Sequence, residues 1–123
     1  MMAFRFSATD AQAVLDTHGD WLALADGEQI EFAAKTRRDL LVFTDRRMIR
    51  TDTQGALAKK TEYLSVPFRA ISRWSVESRG KGWMDGSDLK VWIGAATEPL
   101  IDLELGKDDS AREVAALLSK HAL

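Results

Sequence analysis

Cysteine is absent from the 123-residue chain, which excludes a disulfide staple, a thiolate nucleophile and any Cys-ligated zinc or iron–sulfur centre, and makes the cytosol the simplest compartment. Histidine is nearly absent too. His18 and His121 are the only two, and neither is accompanied by a second His or Cys at metal-ligand spacing or by a nucleophile motif such as G-x-S-x-G. No metal, cofactor or catalytic residue set is expected, and the chain is read as non-enzymatic. Long apolar runs are missing: none approaches the roughly 18 to 20 residues that span a bilayer, and the stretch from Met1 to Thr9 is too short and too polar for a signal peptide. An excess of one charge is missing as well. Seventeen Lys and Arg against nineteen Asp and Glu leave a net charge of −2, which provides no general attraction to polyanions. No aromatic ladder is interleaved with the basic residues, so no nucleic-acid partner is expected.

What is present is the composition of a folded domain, 46% hydrophobic and 29% charged, in a chain with room for one core. Thr9 and Gln12 have capping-box spacing, and Ala11, Val14 and Leu15 share a face, which predicts a short helix that Gly19 ends; Trp21 to Ala25 adds a further turn. From Ile30 the period changes to that of short strands. Ile30, Phe32 and Ala34 alternate with Glu31 and Ala33, and Leu40 to Phe43 is dense enough for a strand covered on both faces. Asp45 and Arg46 form the tip of a hairpin that continues through Met48 and Ile49. Further strands are predicted over Lys60 to Val66, Ile71 to Glu77, Leu89 to Ile93 and Ile101 to Leu105, seven in all, a pattern that points to a sandwich or small barrel. Ser110 and Glu113 make a second capping box before an amphipathic helix over Ala111 to Leu123, with Val114, Leu117, Leu118 and His121 on one stripe. The expected organisation is one domain over 1–123: a helical extension (1–26), seven-stranded sheets (27–105) and a terminal helix (108–123).

Several constellations bear on function. The loop from Ser78 to Asp88 is glycine-rich, lacks the P-loop order and joins two strands, so it is read as a flexible loop. Trp83 within it either folds back on the barrel or meets another molecule. Trp92 lies opposite Leu89, Val91 and Ile93, on the outer face with Lys90, where it can anchor a subunit contact or be covered by a helix. Basic residues cluster at Lys35, Arg37 and Arg38 and at Arg46, Arg47 and Arg50; if the two turns are neighbours they can receive a phosphate or an acidic peptide. Asp39 and Asp45 are expected to neutralise much of that field in local ion pairs.

The middle of the chain resembles the bacterial pleckstrin-homology-like (PH-like) domain family. The residues that carry this are Gly27-Glu28 with Ile30, Arg38-Asp39, Phe43-Thr44 with Arg47 and Ile49, Asp52-x-Gln54-Gly55, Lys59-Lys60, Ser65-Val66-Pro67-Phe68 with Ile71, and Val76-Glu77 followed by Asp88-Leu89-Lys90. The resemblance implies a mainly β fold: a PH-like barrel of two roughly orthogonal antiparallel sheets, seven strands, with a capping C-terminal helix and a short N-terminal helix. It also implies a cyclic homo-oligomer, typically of five copies, whose polar surface contacts another protein. Phe68 stands where tyrosine is common, which removes a hydroxyl, and Ala58 where glycine often precedes the two lysines. The expected partner-binding residues are Thr44, Asp45, Arg46 and Arg47 at the hairpin tip, Lys59, Lys60 and Glu62 on the next strand, and Arg69 after Pro67. The alternative is a peripheral membrane or anionic-ligand module that uses Lys35, Arg37 and Arg38 of the first inter-strand loop.

Overall fold

Alternation of apolar and polar side chains produces strands at each predicted place, and the computed structural model describes residues 5–78 and 86–123. Among these residues there are eight strands: β1 (Arg5–Ala8), β2 (Ile30–Lys35), β3 (Leu40–Thr44), β4 (Arg47–Gln54), β5 (Lys60–Pro67), β6 (Ile71–Ser78), β7 (Ser87–Ile93) and β8 (Ile101–Leu105). Helix α1 (Ala11–Leu22) follows β1, a single 3-10 turn (Phe68–Ala70) separates β5 from β6, and helix α2 (Ser110–His121) ends the fold. The seven expected strands are β2 to β8. Trp83 and most of the glycine-rich loop lie outside the described residues.

The additional strand, β1, lies inside what was expected to be a purely helical extension. It pairs antiparallel with β2 through Ser7 and Lys35 and parallel with β8 through Phe6 and Leu105. It therefore joins two four- and three-stranded halves into one curled sheet of order β5-β4-β3-β2-β1-β8-β7-β6.

The curled sheet buries side chains on both faces. On its inner face Phe32, Leu41, Phe43, Met48, Val66, Leu89, Val91, Ile101 and Leu105 form the main core, and α2 inserts Ala111, Val114 and Leu118 into it. On its outer face Ala33, Leu40, Val42 and Ile49 meet Val14 and Leu22 of α1. All five residues of β3 are consequently buried, as its apolar run requires. An irregularity in the β2–β3 register between Ile30 and Phe32 breaks the simple alternation of β2, sending Ile30 to the α1 side while Phe32 stays in the main core.

Both helix starts differ in detail from the capping boxes. Asp10 caps α1, its carboxylate accepting from the backbone N–H of Ala13 at 3.0 Å. Gly19 does not end that helix, which runs on until Leu22 is buried against the sheet. At α2 the Asp108 carboxylate accepts from the N–H of Ser110 at 2.9 Å and from the N–H of Ala8 at 3.0 Å, clamping the end of β1 to the helix start. Burial alone would raise the Asp108 pKa, but the Ser110 hydroxyl together with these backbone N–H groups outweighs it and holds the carboxyl below its usual range.

The turn between β4 and β5 explains one departure from the family pattern. Ala58 has φ of 52°, in the left-handed region, and its N–H donates to Gly55 O at 3.0 Å. The glycine-type conformation is thus retained by a residue that carries a Cβ, at a cost of about 1 to 2 kcal/mol. Replacing Ala58→Gly is expected to raise stability by up to about 1 kcal/mol, the gain being reduced by the greater chain entropy of unfolded glycine. Urea denaturation of the two proteins measures this difference.

Candidate functional site

The hairpin β3–β4 delivers Thr44, Asp45, Arg46 and Arg47 to one end of the sheet, beside the chain segment that leaves α1. Thr44 is the first surprise: expected at an exposed tip, it is 0% exposed. Its hydroxyl donates to Glu28 Oε2 at 2.6 Å and accepts from the N–H groups of Arg46 and Arg47, each at 3.0 Å. A residue spent on holding the tip together has no face left for a partner. Asp45 ties the tip to the segment before β2, its carboxylate accepting from the N–H of Gln29 at 3.1 Å.

Arg47 is likewise turned inward. Its Nε and Nη2 donate to the two carboxylate oxygens of Glu28 at 2.9 and 3.1 Å, a bidentate pair. Its Nη1 reaches Ser65 Oγ at 2.9 Å, and Nη2 also reaches the carbonyls of Leu22 and Ala23, each at 3.1 Å, at the end of α1. The Glu28 side chain is only 2% exposed. Burial pushes its pKa up, yet hydrogen bonds from Arg47, Thr44 and the N–H of Ala25, with the Arg47 charge, bring it down to about 2. Glu28 was quoted only as part of the family pattern. Its role was hidden because its partners lie 16 and 19 positions further along the chain.

Arg46 and Arg69 stay exposed and border a hollow of about 310 Å³ that Glu28, Arg47 and Pro67 also line. Lys59, Lys60 and Glu62 are exposed at the opposite end of β5, since Gln54 pairs with Lys60 while Arg47 pairs with Pro67. The expected partner surface is therefore two patches joined by one edge strand.

The two basic clusters are not neighbours. Lys35, Arg37 and Arg38 lie at the β2–β3 turn and Arg46 and Arg47 at the β3–β4 end, so the length of β3 separates them; Arg50, within β4, is the member of the second group that lines a hollow together with Arg38. Asp39 and Asp45 do not neutralise them by ion pairs among the described residues. Asp39 instead accepts from Thr51 Oγ1 at 3.0 Å and from the Thr53 N–H at 2.8 Å. Arg38 is tied down, its Nη2 donating to Gly55 O at 2.6 Å. Lys35 and Arg37 remain exposed beside a groove of about 370 Å³ between α1 and this turn.

The histidines serve packing. His18 Nδ1 lies 3.1 Å from Tyr63 Oη, and His121 stacks on Phe68 at 4.8 Å while its Nε2 meets Glu31 Oε1 at 2.7 Å. The phenyl ring of Phe68 thus lies flat under the imidazole, a role that needs no hydroxyl. Trp92 is on the outer face, where it donates to Thr97 O at 3.0 Å and Arg73 covers its ring at 4.5 Å.

Because Glu28 is ionised in the fold down to about pH 2 against an ordinary 4.5, its stabilisation is complete above pH 4.5 and is lost as the pH falls from there towards 2. The corresponding linkage is about 3 kcal/mol. Glu28→Gln is expected to destabilise the protein by about 3 kcal/mol at neutral pH, since it leaves the Arg47 charge without its counterion. It is also expected to flatten the acid limb of the stability curve. Urea unfolding of wild type and variant at a series of pH values between 2 and 7 checks both effects.

Comparison with known proteins places these features in context. The sequence profile of the bacterial PH domain matches residues 3–122. The uncharacterised protein YjqA of Bacillus subtilis strain 168 is 45% identical over 96 residues, 78% of this chain and 76% of that protein. Among solved structures, a DUF1696-family protein with a pleckstrin-homology domain from Shewanella loihica PV-4 superposes with a TM-score of 0.81 at 31% identity, covering 97% of this chain and 98% of the other. A pleckstrin-homology domain from Shewanella amazonensis SB2B gives 0.71 at 33% identity, over 94% and 90%. With its curled sheet, its capping helix and a profile match over nearly its whole length, the chain belongs to the bacterial PH domain family.

Proposed function

We propose that this chain is a non-enzymatic protein-interaction module of the cytosol, which assembles head to tail into a cyclic homo-oligomer, five copies being the expected ring, and presents a polar surface to a protein partner. The observation that carries this reading is the pair of open edges. Strands β5 and β6 end the sheet order, each eight residues long and, among the described residues, unpaired on one side. Unsatisfied backbone donors and acceptors on a long edge are a liability that pairing with a second copy removes. Two different edges make a heterologous contact, which generates a ring when the rotation per copy closes.

Light scattering over a range of concentrations is expected to give a discrete multiple of 13.7 kDa, and a monomer throughout would overturn the reading. Thr61→Pro and Glu62→Pro sharpen the test. Of two successive strand residues one directs its N–H into the β4 ladder and the other directs it outwards. One of the two variants should therefore fold as the wild type does by circular dichroism yet lose the oligomer.

A second reading rests on Lys35 and Arg37, exposed cations without a partner among the described residues, at the groove lined also by Thr9, Thr17 and His18. It makes the module a peripheral anionic-ligand binder. Phosphatidylserine-containing vesicles should then retain the protein at low salt and release the Lys35→Glu/Arg37→Glu variant. Absence of binding at low salt would dismiss it.

A further inference from the structure

One aromatic group at the β5 edge is exposed and yet firmly held. Trp21, near the end of α1, is 72% exposed. Its ring stacks on Tyr63 of β5 at 5.8 Å and 13°, while the Tyr63 hydroxyl is within hydrogen-bond distance of His18. The helix end that carries Trp21 is fastened by Arg47 through the carbonyls of Leu22 and Ala23. A large apolar ring fixed in this way has already lost most of the freedom that binding would cost, which is the property of an interface anchor. The stacked pair borders a hollow of about 300 Å³ completed by Lys59 and Thr61.

The opposite edge of the same sheet carries the complement. Trp74 and Val76 of β6 pack against the main core, so Arg73, Ser75 and Glu77 form its outer row by strand alternation. Tyr63 packs on the α1 side, so Thr61, Tyr63 and Ser65 are the outer row of β5. Strands paired edge to edge bring residues of the same face opposite one another. Lys59, immediately before β5, and Lys60, its first residue, are exposed with no ion-pair partner among the described residues; Glu77 is exposed near the end of β6 and is likewise unpaired there. In its own sheet Glu77 stands across from Asp88. An antiparallel approach of β5 to β6 of another copy sets start against end, Lys59 against Glu77. It also brings the Trp21–Tyr63 stack towards the neighbour's Arg73, which already lies over Trp92. A parallel approach would oppose Lys59 and Arg73, two cations.

We infer that the Trp21–Tyr63 stack, with Lys59 beside it, is the docking surface for the β6 edge of a second copy of this chain, laid antiparallel, with Glu77 facing Lys59. This rests on the assembly reading above and deepens it by assigning the anchor and the direction of the contact. Trp21→Ala is expected to raise the dissociation constant of the oligomer at least about 30-fold, the effect of losing a hot-spot ring. Lys59→Glu and Glu77→Lys should each weaken assembly by about 5- to 10-fold, and the double variant Lys59→Glu/Glu77→Lys should restore it. Analytical ultracentrifugation of the five intact proteins, wild type included, gives the constants, and circular dichroism with urea midpoints verifies that each folds. If wild type assembles but Trp21→Ala and the charge variants assemble equally well, the docking surface is overturned while assembly stands. If the single charge variants weaken assembly and the double variant gives no rescue, the antiparallel order is overturned. If wild type itself stays monomeric, the assembly reading fails first.

Discussion

The ion pair between Arg47 and Glu28 governs how the N-terminal third of the chain is attached to the sheet. A buried carboxylate and a partly buried guanidinium are costly to desolvate, and that cost is offset by their mutual hydrogen bonds together with those each makes to its neighbours. Here Glu28 accepts from Arg47, Thr44 and the N–H of Ala25, and Arg47 also donates to Ser65, Leu22 and Ala23. An apolar pair of the same volume would fill the space but leave the last carbonyls of α1 without donors. The pair therefore does two tasks at once. It closes the β3–β4 hairpin and it fixes the end of α1, which in turn sets Trp21 over Tyr63.

How much of this was legible in the sequence depends on the range of the interactions involved. The bounds of β8 follow from the alternation of Ile101, Leu103 and Leu105 with Asp102 and Glu104, and the burial of β3 on both faces follows from its unbroken apolar run. Both are properties of a few consecutive residues. Strand β1 is different: four residues with one buried side chain, Phe6, hold no periodicity. It is a strand because β2 and β8, distant in the sequence, leave a gap that its backbone fills. The helix over 11–22 was legible from Val14 and Leu15, but its end was not, because the burial of Leu22 against Ala33 and Ile49 outweighs the low helix propensity of Gly19.

The candidate site shows the same division more sharply. Polarity and a turn signal place Thr44 and Arg47 on the surface, and local pattern offers no reason to place them elsewhere. What turns them inward is one acid, Glu28, in a loop whose sequence resembles an ordinary exposed turn. The residues whose exposure was read correctly, Arg46, Arg69, Lys59, Lys60 and Glu62, are those that no distant counter-charge claims. Sequence polarity identifies what can face water; it does not identify which polar groups the fold withdraws for its own use.

The same sorting bears on the two edges. Polar outer rows, Thr61 and Ser65 on β5 and Arg73, Ser75 and Glu77 on β6, oppose indiscriminate edge-to-edge aggregation, because a wrong register sets like charges together. A head-to-tail contact through two different edges has no twofold axis to limit it, so closure rather than fibre growth depends on the angle between the edges. That angle is set by the curl of the eight strands. The curl is in turn set by β1, the short strand that joins the two halves, held to β8 and, through Asp108, to the start of α2. The angle between the two edges is therefore decided at the centre of the sheet, far from the edges themselves.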